Sequence, residues 1–134
     1  MYNQDLWFIR AGNTYHASYL LSMRCLDKKG QMGHVGHATS HDLIHWTDQG
    51  PVIAPQTDTW NDDYIAASSV AALAGKYWMV YTGYGRNQRG IGLAVADDLM
   101  EWKKVGDKPV APLGDAITST WNGKLLTWKA VADP

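Results

Sequence analysis

Gly36-His37-Ala38-Thr39-Ser40-His41-Asp42-Leu43-Ile44-His45-Trp46 realigns with Gly92-Leu93-Ala94-Val95-Ala96-Asp97-Asp98-Leu99-Met100-Glu101-Trp102. Gly, Ala, Asp, Leu and Trp recur at a constant offset of 56 residues. Self-similarity at a fixed period marks a repeat architecture and takes precedence over any single motif. After each Trp comes a polar stretch, then Pro51-Val52-Ile53-Ala54-Pro55 or Pro109-Val110-Ala111-Pro112. Upstream, Gly12-Asn13-Thr14-Tyr15-His16-Ala17-Ser18-Tyr19 resembles Gly75-Lys76-Tyr77-Trp78-Met79-Val80-Tyr81, with the tyrosines offset by 62. A few inserted residues between strands account for the difference.

Each unit reads as four short strands. In the first they cover 6–10, 14–22, 34–40 and 45–55; in the second they cover 65–73, 77–84, 90–96 and 101–110. Gly12-Asn13 and Gly75-Lys76 supply hairpin turns that tolerate positive φ. The segments that follow are rich in β-formers. Asp42-Leu43 and Asp98-Leu99 fall in tight connections, where a short Asp side chain accepts backbone N–H bonds. The Trp after each has a large face to bury between neighbouring sheets. Four strands per unit, a period near 60 and a Trp in the outer strand predict an all-β fold of propeller blades. The first blade is expected over 1–56 and the second over 57–112. Residues 113–134 read as the start of a third, with a turn at Trp121-Asn122-Gly123-Lys124.

Composition agrees. Of 134 residues, 46% are apolar, enough for a core, and seven Trp, seven Tyr and thirteen Gly suit an aromatic-rich β protein with many turns. A net charge of −1 argues against a nucleic-acid partner, which calls for a basic face. No apolar run approaches the ~18 residues of a membrane helix. Met1-Tyr2-Asn3-Gln4-Asp5 lacks the basic and apolar regions of a signal peptide, so the chain as written is expected in the cytoplasm, with a secreted parent protein left open. One cysteine, Cys25, excludes an intrachain disulfide and a CxxC metal site; it reads as a free surface thiol.

The doubled GxA-x-S/A-x-D-L-x-x-W pattern, with Tyr77-Trp78-Met79-Val80-Tyr81-Thr82-Gly83 and Ile91-Gly92-Leu93-Ala94, resembles the five-bladed β-propeller glycosidases, glycoside hydrolase families 32, 43 and 68 among them. The resemblance runs from Asp5 to Pro134, and it implies a partial five-bladed propeller acting on or binding carbohydrate. It also implies three carboxyl groups at the propeller axis: an Asp opening the first inner strand as nucleophile or base, an Asp opening blade three that stabilises the transition state, and a Glu as general acid. Asp5 falls where the first belongs. Asp133 falls where the second belongs, with Ala132 in place of the usual Arg. Ser68 and Ser69 occupy a segment that faces substrate in the clan. The Glu has no counterpart, because Glu101 aligns with His45 in a peripheral repeat position.

That gap matters chemically. Glycosidic cleavage needs one carboxylate to attack or to activate water, and a protonated acid for the leaving oxygen. Twelve Asp and one Glu therefore predict a recognisable fold with an incomplete catalytic set, weakly active or inactive as an isolated chain. The alternative is a non-catalytic carbohydrate-binding or self-assembling propeller fragment. Trp60, on the loop entering blade two, either stacks on a sugar ring or packs its own loop. Of Trp7 and Phe8, which straddle opposite faces of one strand, at most one faces the funnel. Trp46 and Trp102 repeat with the fold and read as structural. His34, His37, His41 and His45 invite a metal reading. The segment is not helical in character, however, and the offset-56 counterparts (Gly90, Leu93, Asp97, Glu101) share no such site, so neither metal nor cofactor is expected. Two blades cannot close a ring, so their open sides are expected to carry apolar surface that self-association covers. The chain reads as truncated relative to a full glycosidase.

Overall fold

The computed structural model describes residues 2–23, 32–85, 88–112, 116–121 and 126–131. Those residues form strands and turns without a helix. β1 (Tyr2–Ala11), β2 (Thr14–Met23), β3 (Met32–Ser40) and β4 (Thr47–Ile53) make one antiparallel sheet in sequence order. β5 (Tyr64–Leu73), β6 (Lys76–Tyr84) and β7 (Arg89–Ala96) make a second. Its outer position is shared by β8 (Lys103–Lys104) and β9 (Ala111–Pro112), which both pair with β7. β10 (Ala116–Trp121) and β11 (Leu126–Val131) form a separate hairpin. The chain is thus all-β, with two meander sheets of the propeller-blade kind.

The outer strand expected over 101–110 is interrupted, and the sequence holds the reason. Pro109 has no N–H to give a ladder, and Gly106 turns the backbone to φ 75°. Beyond the β8 and β9 pairings, Val105 N–H to the Leu93 carbonyl and Val110 N–H to the Ile91 carbonyl, both 2.8 Å, keep the interrupted segment against β7. The outer strand of the first sheet stays continuous but carries register shifts around the corresponding residue, Gly50 at φ 84°.

The backbone repeats more faithfully than the side chains do. Positive φ recurs at Leu43 (65°) and Leu99 (66°), and at Gly50 and Gly106, both at offset 56. It recurs at Asp5 (54°) and Ala67 (41°), and at Gly12 (58°) and Ala74 (52°), both at offset 62. The last pair corrects the sequence alignment of the hairpins. The turn of the second sheet is Ala74-Gly75, closed by Leu73 opposite Lys76, so Ala74 rather than Gly75 stands where Gly12 does. An alanine there holds a left-handed conformation that costs an L-residue roughly 1 kcal/mol.

The Asp-Leu-x-x-Trp turns follow from hydrogen bonding. The Asp42 carboxylate accepts from Ile44 N–H at 2.9 Å and His45 N–H at 2.8 Å. Asp98 accepts from Met100 N–H at 2.9 Å and Glu101 N–H at 3.1 Å. Each Trp indole then donates to the carbonyl of the left-handed leucine: Trp46 to Leu43 at 3.1 Å, Trp102 to Leu99 at 3.0 Å. These bonds hold both Asp carboxyls below the ordinary carboxylate range; for Asp42 the His45 side chain, donating Nδ1–H at 2.7 Å, is the largest cause.

One core joins the two sheets. Val35 and Ile53 of the first pack with Ile65, Val70, Met79, Tyr81, Ala94 and Leu99 of the second region. A smaller cluster of Tyr19, Leu21 and Ala38 lies under Trp46. Polar ties reinforce the joint: Ser68 Oγ donates to Ser18 Oγ at 3.0 Å, and Lys104 Nζ donates to the Ala54 carbonyl at 2.7 Å. Burial of Lys104 pushes its ammonium pKa down.

Candidate active site

β1 and β5 are the edge strands of their sheets, and they contact each other. Both carry a bulge. On β1, Gln4 pairs with Leu20 and Trp7 with Ser18, so Asp5 and Leu6 together oppose Tyr19. On β5, Ala66 pairs with Thr82 and Ser68 with Tyr81, leaving Ala67 as the extra residue. A bulge kinks the strand and re-aims a side chain, and such features gather beside functional sites. The residue in the left-handed conformation is Asp5 in the first bulge and Ala67 in the second. Asp tolerates that conformation better than Ala does. Asp5 is exposed. The structure therefore sets a single carboxylate at the strained point of one edge strand and a methyl group at the matching point of the other.

The strand opposite each bulge is braced by an aromatic ring over a glycine. Tyr19 pairs with Gly36 and Tyr81 with Gly92, and a Cβ built on either glycine falls into the facing ring. Tyr19 donates its hydroxyl to Asp48 at 2.7 Å; burial and this carboxylate push the phenol up to about 12, while the bond holds Asp48 down. Asn61 Nδ2 donates to the Tyr81 hydroxyl at 3.2 Å. Burial raises the Tyr81 pKa as well.

The remaining sequence candidates separate. Trp7 lines the crevice between the sheets and is 39% exposed. Trp60 is half-buried; its ring stacks at 6.3 Å on Tyr81 and abuts Gly83, so the loop is packed by its own tryptophan. Ser68 spends its hydroxyl on Ser18 across the sheet joint, and the next residue along β5, Ser69, pairs with Val80. Asp133 and Cys25 lie outside the described residues. Glu101 is exposed in the turn between β7 and β8, where its N–H bonds to Asp98.

The four histidines of the 34–45 run diverge. His34 and His37 are on β3, His41 Nδ1 donates to the Asn13 carbonyl at 3.1 Å, and His45 pairs with Asp42. Among the described residues no group of three or more His, Cys, Asp or Glu is placed to hold a metal ion. Sequence reading missed that His37 meets His16, across the β2–β3 pairing, at 3.0 Å. Each residue's place on a strand was readable, but their meeting depends on the β2–β3 register, which sets Ser18 opposite His37 and His16 opposite Thr39.

Residues 4–120 match the family described as glycosyl hydrolases family 32 N-terminal domain. A solved fructan 1-exohydrolase IIa from Cichorium intybus is 23% identical with a TM-score of 0.67, over 87% of this chain and 22% of its own. A family 117 glycoside hydrolase from Zobellia galactanivorans is 19% identical with a TM-score of 0.69, over 84% of this chain and 40% of its own. RS223-β-xylosidase is 17% identical with a TM-score of 0.71, over 84% and 38%. At these identities the likeness is one of fold. The chain spans well under half the length of each of these structures. Among curated proteins no significant match is found.

Proposed function

The chain belongs to glycosyl hydrolases family 32 by its N-terminal-domain match, and on that premise we propose that it supplies the Asp5-bearing sector of a carbohydrate site of glycosidase type. The observation that carries the reading is the β1 bulge, which holds an exposed Asp5 at positive φ on an edge strand beside β5. In this role Asp5 is the nucleophile or base carboxylate. Trp7 offers an apolar face near it, and Asp133 is the second carboxylate of the proposal.

Hydrolysis by these 134 residues alone is expected to stay near background. A glycosidase needs a second, protonated carboxyl across the scissile bond, and the single Glu of the chain sits in a peripheral turn. The test is an assay of the purified chain against aryl fructosides and xylosides, beside a titration with fructo-oligosaccharide and xylo-oligosaccharide followed by NMR. The sugars follow the names of the fructan exohydrolase and the xylosidase that share the fold. Expected are saturable shifts at Asp5 and Trp7 that Asp5→Asn abolishes, without turnover. Robust turnover would overturn the missing-acid reading, and no binding by any sugar would overturn the carbohydrate reading.

Self-association is part of the proposal. Phe8, Leu43 and Ile44 are 51%, 50% and 77% exposed, and Phe8 meets Trp46 at 5.6 Å in an apolar surface. The purified chain is expected to sediment as more than one copy at micromolar concentration. A single-chain mass would rule this out.

A further inference from the structure

His16 on β2 and His37 on β3 are buried, at 9% and 3% exposure. His16 Nδ1 lies 3.0 Å from His37 Nε2, and the rings are nearly parallel, 8° apart. Both line the crevice between the two sheets. His37 Nδ1 is buried there without a hydrogen-bond partner. We propose that this pair is an acid-sensitive latch: as neutral rings bonded to each other within the first sheet, the histidines present an uncharged surface to Val70, Met79, Leu99 and Trp102 of the second sheet region across the crevice, and protonation puts charge into that apolar joint and loosens it.

A histidine–histidine bond needs one N–H and one lone pair, so it survives in the neutral pair and fails when both rings are charged. The surroundings then decide how hard charging is. β1 contributes Trp7 and Ile9, β5 contributes Val70, β6 contributes Met79, and the β7–β8 turn contributes Leu99 and Trp102. None of these titrates. The charges that act on the pair are Asp98 of the β7–β8 turn, on His16, and Asp48 of β4, on His37. Both carboxylates are already engaged, Asp98 by backbone N–H groups and Asp48 by Tyr19 and Gly50 N–H. Burial outweighs them: it lowers the pKa of His16, and it carries His37, with the His16 charge adding to it, down to about 4.

The unfolded chain protonates near the ordinary histidine value of about 6.5. The pair therefore contributes its full stability above that pH and loses it as pH falls through the 6.5-to-4 window. For His37 alone, going from pH 7.5 to pH 5 raises the unfolding constant roughly thirtyfold.

The test uses the full chain in urea at both pH values, with a His16→Gln/His37→Gln variant, since glutamines keep a hydrogen-bonding pair without a titration. The midpoint of the natural sequence is expected to fall at pH 5, and that of the variant is expected to hold. A variant with the same pH dependence would overturn the latch. An NMR titration of the unsubstituted chain needs no variant. His37 is expected to titrate well below 6.5, and the indole N–H signals of Trp7 and Trp102 to follow it. A His37 titration at its ordinary value, or indole signals that ignore it, would overturn the proposal equally.

Discussion

Gly92→Ala is expected to destabilise the fold by about 3 kcal/mol and to lower the melting temperature by roughly 10 °C. In most sheet positions an added methyl group is harmless, but here it lands in the Tyr81 ring. That ring has nowhere to go. Tyr81 is 2% exposed, Trp60 stacks on it, and Asn61 holds its hydroxyl. The clash must therefore be relieved by backbone, by breaking the Tyr81–Gly92 pairing at the centre of the β6–β7 ladder. Calorimetry of Gly92→Ala measures the loss, and a cycle with Tyr81→Ala tests its cause. With the ring gone, the alanine at 92 is expected to cost little, so the two substitutions together lose less than the sum of their separate effects. Additive losses, or a Gly92→Ala protein within about 0.5 kcal/mol of the natural one, would sink the ring-over-glycine account. Gly36 beneath Tyr19 makes the same arrangement in the first sheet, where Asp48 pins the ring.

This arrangement also separates what was legible in the sequence from what was not. The glycines recur at offset 56 and the tyrosines at 62, and each offset is visible as a string match. That the two offsets describe one contact is not visible, because cross-strand register joins residues from different segments. In the Asp-Leu-x-x-Trp turn the Asp bonds to backbone N–H could be read, since they are made within a few residues of chain, whereas the left-handed Leu and the indole bond to its carbonyl were not. The hairpin of the second sheet was misaligned by one position because glycine is the expected turn residue, and tertiary pairing set Ala74 in the strained place instead. The outer strand over 101–110 failed as a continuous strand for a local reason, Gly106 and Pro109, that the hydrophobic pattern alone did not weigh.

For the candidate site, Asp5 could be singled out only through the family resemblance, and the bulge that carries it could not be read at all. A bulge is a mismatch between two strands, and neither strand alone encodes it. Ala67 makes the point from the other side: the same bulge and the same positive φ occur there with no carboxylate to exploit them. The backbone device is thus a property of the repeat, and only one of the two copies sets a carboxylate on it. Trp60 illustrates the opposite case. A tryptophan on a loop near the expected funnel is equally compatible with ligand stacking and with packing, and only the Tyr81 and Gly83 contacts reveal how the ring is used.

Met79→Ala is expected to cost about 3 kcal/mol, and to do so for both sheets at once. Met79 is 1% exposed in the cluster that holds Val35 and Ile53 of the first sheet against Ile65 and Val70 of the second. Truncating it leaves a cavity at the joint, and neighbours drawn from two rigid sheets can collapse into that cavity only in part. Each sheet alone is a small antiparallel meander stripped of the core it shares with the other. Its independent stability is marginal, so removing the shared contacts is expected to lower one common transition rather than to release one sheet first. The Ser68–Ser18 and Lys104–Ala54 bonds cross the same joint and act in the same direction. Urea unfolding followed by amide signals of β2 and β6 distinguishes the possibilities. Coincident midpoints, both shifted down in Met79→Ala, fit a single cooperative unit built on the joint. If β2 signals persist to higher urea than β6 signals, the sheets are separate units, and the joint core does not hold the molecule together.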